Sequence, residues 1–348
     1  MNLLVFNYSM NETSQVFSHQ RRIVMKLASH FDSLDVVTAE QLTSPSSSNV
    51  HISSTNWVPG RNLRNVVNFY RVSIPLLIKH RRGVVFSHMT EVQSFLISPI
   101  CKFLRIRHFL WYAHRSESIF LSLAYPFLDN IITSTKGSCP INGKKVKAIG
   151  QSIDLELTSQ ISRIPSIPPK SWYHVGRLDP SKNLELIIKA LAPLYENNST
   201  ISLHFYGSPS SEKAVEYFNL LQIKYDELDY PWIHFHGQLS YKELVKVSNS
   251  HDGFIHAFWG SLDKALLEAI LLKRVVVSAN PEYLWEFRGQ RLLRENQLSE
   301  LQSQLLKVYD GEHSITQKQI DEDFRLVKVN HSLDNWLTQL LSILKAPM

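Results

Sequence analysis

Short apolar runs alternate with helix-spaced segments along the whole chain, and the pattern runs its course twice. In the first half NLLVFN (2–7), LDVVT (34–38), GVVFSH (83–88), RHFLWY (107–112) and NIITS (130–134) read as strands. In the second half SWYHVGRL (171–178), TISLHFYG (200–207), WIHFHG (232–237), GFIHAF (253–258) and VVVSA (275–279) do the same. Helical spacing fills the intervals: Val16, Ile23, Val24 and Leu27 early on, then ELIIKALAPLY, YKELVKVSN and DKALLEAILL. Strands separated by helices build a parallel sheet covered on both faces. The expected class is α/β, with two doubly wound Rossmann-like domains. Such sheets bind ligands beyond the carboxyl ends of their strands, so facing domains would set the active site in an interdomain cleft.

The length of 348 residues suits two domains. ISRIPSIPPK (161–170), with Pro165, Pro168 and Pro169, is the best linker candidate, and the stretch from Thr43 to Thr55 reads as a loop around at most one short strand. The expected boundaries are 1–168 for a first domain and 169–330 for a second. Residues 331–348 are expected to hold an amphipathic helix, within the run NHSLDNWLTQLLSILK (330–345), that packs back on the first domain. Two cysteines, Cys101 and Cys139, cannot build a disulfide framework and fit a reducing cytosol. No apolar run is long enough to span a bilayer, and the start, MNLLVFNYSM, reads as a strand rather than a signal peptide.

The net charge of +6 is unevenly spread: residues 1–168 hold 18 Lys and Arg against 9 Asp and Glu, while the remainder is slightly acidic. A basic first half suits a polyanionic or membrane-surface partner, or is simply an inert basic surface. A nucleic-acid binder is disfavoured, because the aromatics sit in strand-like runs rather than among the basic residues. Walker, GxGxxG, HExxH, CxxC and GxSxG motifs are all missing. His234 and His236 share a strand face, but without a third ligand nearby they read as ordinary strand residues, not a metal site.

Chemistry concentrates in 172–280. WYHVGRLDPSKNLELIIKAL is a strand, Gly176-Arg177, a proline turn, Lys182 and a helix. Two cations at one strand-to-helix junction suit a diphosphate, aided by the helix N-terminus, or else are solvated charges on a turn. Further on, a strand ends at Phe258, a Gly260-Ser261 turn follows, Asp263 can cap, and ALLEAILL carries Glu268. A carboxylate inside an apolar helix is costly to bury alone. Glu268 therefore reaches solvent or accepts hydrogen bonds from a ligand such as a ribose diol.

The ordered set GRLDPSKN, HGQLSYKEL, GSLDKALLEAILLKRVVV and NHSLDNWL resembles the C-terminal domain of retaining family 4 glycosyltransferases of the GT-B fold, the glycosyl transferases group 1. VFSHMTE, FLWYAHRSES and IITSTKGSCPINGKKVKAIGQSID look like the same family's acceptor domain. The resemblance implies a GT-B enzyme that moves a hexose from a nucleotide-sugar to a glycan or lipid-linked glycan in surface polysaccharide synthesis. It would act in the cytoplasm or peripherally on the membrane, without a cofactor or metal. The alternative is a non-catalytic sugar-nucleotide-binding homologue. Arg177 and Lys182 match the family's diphosphate-binding pair, Glu268 its ribose-contacting Glu and His114 its histidine near the transferred sugar. Gly176, Gly237, Leu239, Ser261 and Lys264 fall in the matching donor motifs. One departure stands out: the family's first motif Glu falls on Gly260. Asp263 is expected to supply the missing acceptor for sugar hydroxyls, with the Gly260–Ser261 backbone donating. The family's glycine-rich loop after the first strand is replaced by NYSMNETSQ.

RNLRNVVNFYRVSIPLLIKHRR, residues 61–82, has no acidic residue. Leu63, Val66, Val67, Tyr70, Ile74, Leu77 and Ile78 follow helical spacing and are expected to face the core, with Pro75 bending the helix. Arg61, Arg64, Arg71, Lys79 and Arg82 form a basic face, either solvated or set against an anionic membrane.

Overall fold

The computed structural model describes residues 1–11, 18–40, 48–58 and 60–347. Val16, part of NYSMNETSQ and part of the expected loop from Thr43 lie outside the described residues. The chain divides into two compact units, Met1–Ile149 with Leu337–Met348, and Gly150–Trp336.

The first unit is built on β1 (Leu3–Asn7), β2 (Leu34–Thr38), β3 (Val50–Ser54), β4 (Val84–His88), β5 (Arg107–Trp111), β6 (Asn130–Thr133) and β7 (Val146–Ala148). They form one parallel sheet in the order β3-β2-β1-β4-β5-β6-β7. The helices are α1 (Ser18–Ala28), α2 (Asn62–Lys79), α3 (Glu91–Phe103) and α4 (Ile119–Ala124). Strands β1, β2 and β4 are buried along their whole length, which is why they read as continuous apolar runs. Asp35 in β2 is a buried acid among them. Burial pushes its carboxyl up, but Lys79 Nζ at 2.7 Å and His80 Nε2 at 2.6 Å outweigh this and hold it below its ordinary value. Lys79 thus belongs to an ion pair that ties the end of α2 to the sheet, rather than to a free basic face.

The orientation of α2 differs from the expectation. Its buried side is Asn65, Phe69, Ser73 and Leu77. Leu63, Val67, Ile74 and Ile78 are exposed, by 80%, 57%, 40% and 55%. The reason is local: Asn65 turns inward because its side-chain amide bonds both Val58 N–H, at 3.0 Å, and Val58 C=O, at 2.7 Å. Phe69 and Leu77 then fill the core beside Leu4, Phe6 and Val85.

The second unit holds β8 (Ser171–Val175), β9 (Ser202–Tyr206), β10 (Ile233–His236), β11 (Gly253–His256) and β12 (Val275–Ser278), all parallel, in the order β10-β9-β8-β11-β12. Its helices are α5 (Leu184–Asn197), α6 (Glu212–Lys224), α7 (Tyr241–Ser250), α8 (Lys264–Leu271), α9 (Pro281–Arg288), α10 (Gln297–Asp310) and α11 (His313–Asn330). One core lies on the side of α5 and α10, around Trp172, Leu191 and Phe205. A second lies on the side of α8, around Tyr173, Phe254 and Leu267. The last helix, α12 (Leu333–Lys345), starts in the second unit and ends in the first, where Arg107 donates to the carbonyls of Leu344 and Ala346, each at 2.6 Å.

The border falls at Ile149–Gly150 rather than at residue 168. Ile153 and Leu157 are buried in the core of the second unit, and Ile153 exchanges backbone hydrogen bonds with His331 and Leu333, each at 2.7 Å. The proline-containing stretch is held too: buried Asp252 accepts the N–H of Ser166 at 2.8 Å and of Lys170 at 3.1 Å, and pairs with Arg163.

Candidate active site

The carboxyl ends of β8 and β11, neighbours in the second sheet, bring together residues far apart in the chain. After β8, Gly176 and Arg177 lead into a single 3-10 turn, Pro180–Lys182, and then α5. Arg177 is 56% exposed and pairs with Asp179 at 3.2 Å. Asp179 is fixed in turn by Ser210, through N–H at 3.1 Å and Oγ at 2.7 Å. Lys182, by contrast, is buried. Its ammonium pairs with the Asp263 carboxylate and lies 4.1 Å from the centre of the Phe258 ring, in cation–π range.

Asp263 is the N-cap of α8, and its carboxylate is already engaged. Oδ1 accepts Ala265 N–H at 3.3 Å; Oδ2 accepts from Lys182 and from His256 Nε2 at 3.2 Å. Burial pushes its pKa up, but Lys182 and His256 more than reverse this and hold it well below the usual carboxylate range. The free acceptor for sugar hydroxyls expected of Asp263 is therefore a carboxylate that orients Lys182. Burial lowers the pKa of His256, Asp263 notwithstanding, so the ring is neutral. A proton on Nε2 then serves Asp263, and Nδ1 accepts from Ser278 Oγ at 3.2 Å.

His174 stacks on His256 with ring centres 5.9 Å apart. Burial lowers its pKa to about 3. Nδ1 donates to Ile255 C=O at 3.1 Å, which leaves Nε2 a buried acceptor without a partner. A Cβ at Gly176 would sit 3.5 Å from that nitrogen and 3.8 Å from Lys182 Nζ, so the glycine leaves the space between them open. The loops after β8, β9 and β10 are laced by backbone bonds, Gly176 N–H to Tyr206 C=O at 3.1 Å and Gly207 N–H to Gly237 C=O at 3.2 Å. Gly207 is required there, since a Cβ would run into the carbonyl of Gly176. Leu239, beyond Gly237, packs against the α8-side core.

Gly260 has a steric explanation. A Cβ there would collide with the ring of Phe258, the same ring that faces Lys182. The turn is held by Asn280, whose side-chain N–H groups reach the carbonyls of Phe258, Gly260 and Ser261 at 2.9, 3.3 and 3.1 Å. Gln297 plays a similar part, donating to Ala257 and Ala279 C=O and accepting from Asn183. These residues, with His174, His256 and Phe258, go unmarked in the motif reading. The two histidines did carry a signal, as polar residues near the ends of apolar strands.

Glu268 lies one turn into α8, half-buried, beside a cavity of about 10 Å³ with Tyr173, Ser248 and Leu244. Burial pushes its carboxyl up to about 7, with Lys264 opposing and Asp263 reinforcing the shift. The remaining expected residue, His114, belongs to the first unit, on the loop after β5. Its Nδ1 lies 3.2 Å from Ser116 Oγ. His234 and His236 sit on one face of β10, where His204 of β9 stacks on the first at 4.6 Å and bonds the second at 3.1 Å. Among the described residues no group of three His, Cys, Asp or Glu is arranged to hold a metal ion.

Exposed Arg177 and buried Lys182 lie with two buried histidines at adjoining strand ends, and the sequence around them matches a known family model. Residues 169–310 match the model described as glycosyl transferases group 1. The second unit carries a glycosyl transferases group 1 domain. Arg177, Lys182, Asp263 and Glu268 all lie within the matched segment. No curated protein matches the chain by sequence. Solved structures share its fold over its whole length. HepE of Anabaena in complex with UDP has a TM-score of 0.74 at 13% identity, covering 100% of both chains. The E. coli structure described as trehalose-6-phosphate bound with UDP-2-fluoro glucose has 0.74 at 12%, again covering 100% of both. Sucrose-phosphate synthase of Thermosynechococcus elongatus has 0.73 at 11%, covering 99% of this chain and 98% of that one. The glycosyl transferases group 1 domain and its companion unit thus form a GT-B, α/β chain with two Rossmann-like domains.

Proposed function

We propose that the chain is a retaining, family 4 hexosyltransferase using a nucleotide-sugar, with UDP-glucose the first donor to test. Its acceptor is a glycan or lipid-linked glycan of surface polysaccharide synthesis, assembled on the cytoplasmic side. The observation that carries this reading is buried Lys182, held by Asp263, which His256 in turn bonds, at the strand ends beside exposed Arg177. UDP is the ligand of HepE of Anabaena on the same fold. In this reading a donor diphosphate takes Arg177 from Asp179 and shares Lys182 with Asp263. The bond from the anomeric carbon to the diphosphate oxygen breaks, and its electron pair stays on that oxygen. Arg177 and Lys182 stabilise the charge where it develops. The acceptor hydroxyl forms its bond on the same face of the sugar and passes its proton to the leaving phosphate. Glu268, when ionised, accepts from the ribose diol. Backbone groups of Gly260 and Ser261 meet the sugar where the motif carboxylate is missing. With two cations at the leaving group, the reaction needs no metal.

The test is release of nucleoside diphosphate from a panel of nucleotide-sugars, with and without EDTA. Slow hydrolysis of one donor, unchanged by EDTA, is expected. Tight binding of a donor with no turnover under any condition would favour the non-catalytic homologue, and loss of turnover in EDTA would overturn the metal-free mechanism.

A further inference from the structure

The outer face of α2 does not look like the outside of an ordinary surface helix. At about 100° per residue, Leu63, Val67, Ile74 and Ile78 fall within about 60° of arc, and all four are exposed. Arg64 and Arg71, also exposed, lie beside that stripe. No acidic residue occurs from 61 to 82, and Arg81 and Arg82 follow the helix end. The crossovers β3–α2–β4, β4–α3–β5 and β5–α4–β6 all step the same way along the sheet, which sets α2, α3 and α4 on one face. Tyr70 of α2 bonds the Leu96 carbonyl of α3, and Phe95 of α3 touches Phe120 of α4. The same layer exposes Phe103, Ile119 and Leu123, with Lys102 and Arg105 beside Phe103.

We propose that this face docks on an anionic lipid bilayer, with the α2 stripe entering the interface and Arg64 and Arg71 meeting lipid headgroups. An apolar stripe bordered by arginine and free of acid is the composition of a helix lying in a membrane interface. A second copy of the chain fits less well, because a two-fold contact through this stripe would oppose Arg64 and Arg71 to themselves. Among the described residues no helix is long and apolar enough to cross a membrane, so the attachment is peripheral. The contact is independent of the donor site, and its failure would leave the transfer reading intact.

The full chain is floated with phosphatidylcholine vesicles made with and without phosphatidylglycerol. Binding to the anionic vesicles should exceed that to neutral ones by about tenfold. Salt should weaken binding without abolishing it, because apolar insertion is not screened. Val67→Ser/Ile74→Ser/Ile78→Ser should lose binding on both. Arg64→Gln/Arg71→Gln should fall to the neutral-vesicle level. All five positions are exposed, so circular dichroism and donor hydrolysis without vesicles should match the wild type. Lys79 is left alone because it holds Asp35. The proposal is overturned if the wild type stays with the lipid-free fraction, if both variants float like it, or if the serine variant instead dissociates a dimer seen by light scattering.

Discussion

The two units carry charge in opposite ways. Around β8 and β11 each of these charges has a named partner: Lys182 has Asp263, Arg177 has Asp179, and Asp263 has His256 as well. Along the outer face of α2, Arg64 and Arg71 border an exposed apolar stripe in a segment without acid. A buried pair fixes the position of a cation to within a hydrogen bond, which suits the point where charge develops in a reaction. An open basic face tolerates displacement, which suits a surface. Within the second unit the same contrast recurs on a small scale between buried Lys182 and exposed Arg177.

That inner contrast predicts the largest effect. Lys182→Ala and Arg177→Ala should each lower transfer by about 10²-fold or more, because leaving-group charge goes unstabilised. Only Lys182→Ala should also lower stability, by about 3–5 kcal/mol, since it strands a buried carboxylate. Adding Asp263→Asn to Lys182→Met should restore the melting temperature but not the rate. Equal melting temperatures for the two alanine variants would show that the Lys182–Asp263 pair is not the buried anchor described above.

The next prediction concerns the carboxylate missing at Gly260. Gly260→Ala should cost about 1–3 kcal/mol through collision with Phe258. Phe258→Leu in the same chain should recover most of it. Thermal melts of the two variants decide the matter, and a harmless Gly260→Ala would remove the steric account of why this position carries no side chain.

Most of the fold was legible because buried parallel strands are mostly apolar, and the runs at 2–7 and 275–279 needed little else. The unit border was not, because prolines around 165–169 look the same in a linker as in a segment pinned by Asp252. Periodicity alone also misjudged α2. It finds an apolar arc but cannot say which arc faces the core, and here polar Asn65 is buried because Val58 satisfies its amide. In the candidate site the motifs name Arg177, Lys182 and Glu268, whose roles are the proposal made above. The occupation of Asp263 was hidden, because Lys182 lies 81 residues away and only the β8–β11 adjacency unites them.

The smallest expected effect belongs to Glu268, and it separates a ligand group from a merely buried acid. Burial raises its pKa from an ordinary 4.5 to about 7. Between those values the folded chain holds a proton that the unfolded chain has lost. Stability from this group is therefore complete below 4.5 and is lost as pH rises toward 7. Glu268→Gln should remove that slope from the stability profile. Nucleotide binding should run the other way, because a ribose diol needs the ionised acceptor. Affinity for the nucleoside diphosphate should rise by up to about tenfold across the two units of pH centred on that pKa. A 2′-deoxyribose diphosphate, which lacks half the diol, should show a flatter profile, and so should Glu268→Gln with either ligand. Calorimetric titrations at several pH values read all four curves. If ribose and deoxyribose ligands rise together in the wild type, the pH dependence comes from elsewhere and Glu268 is a buried acid rather than the ribose contact.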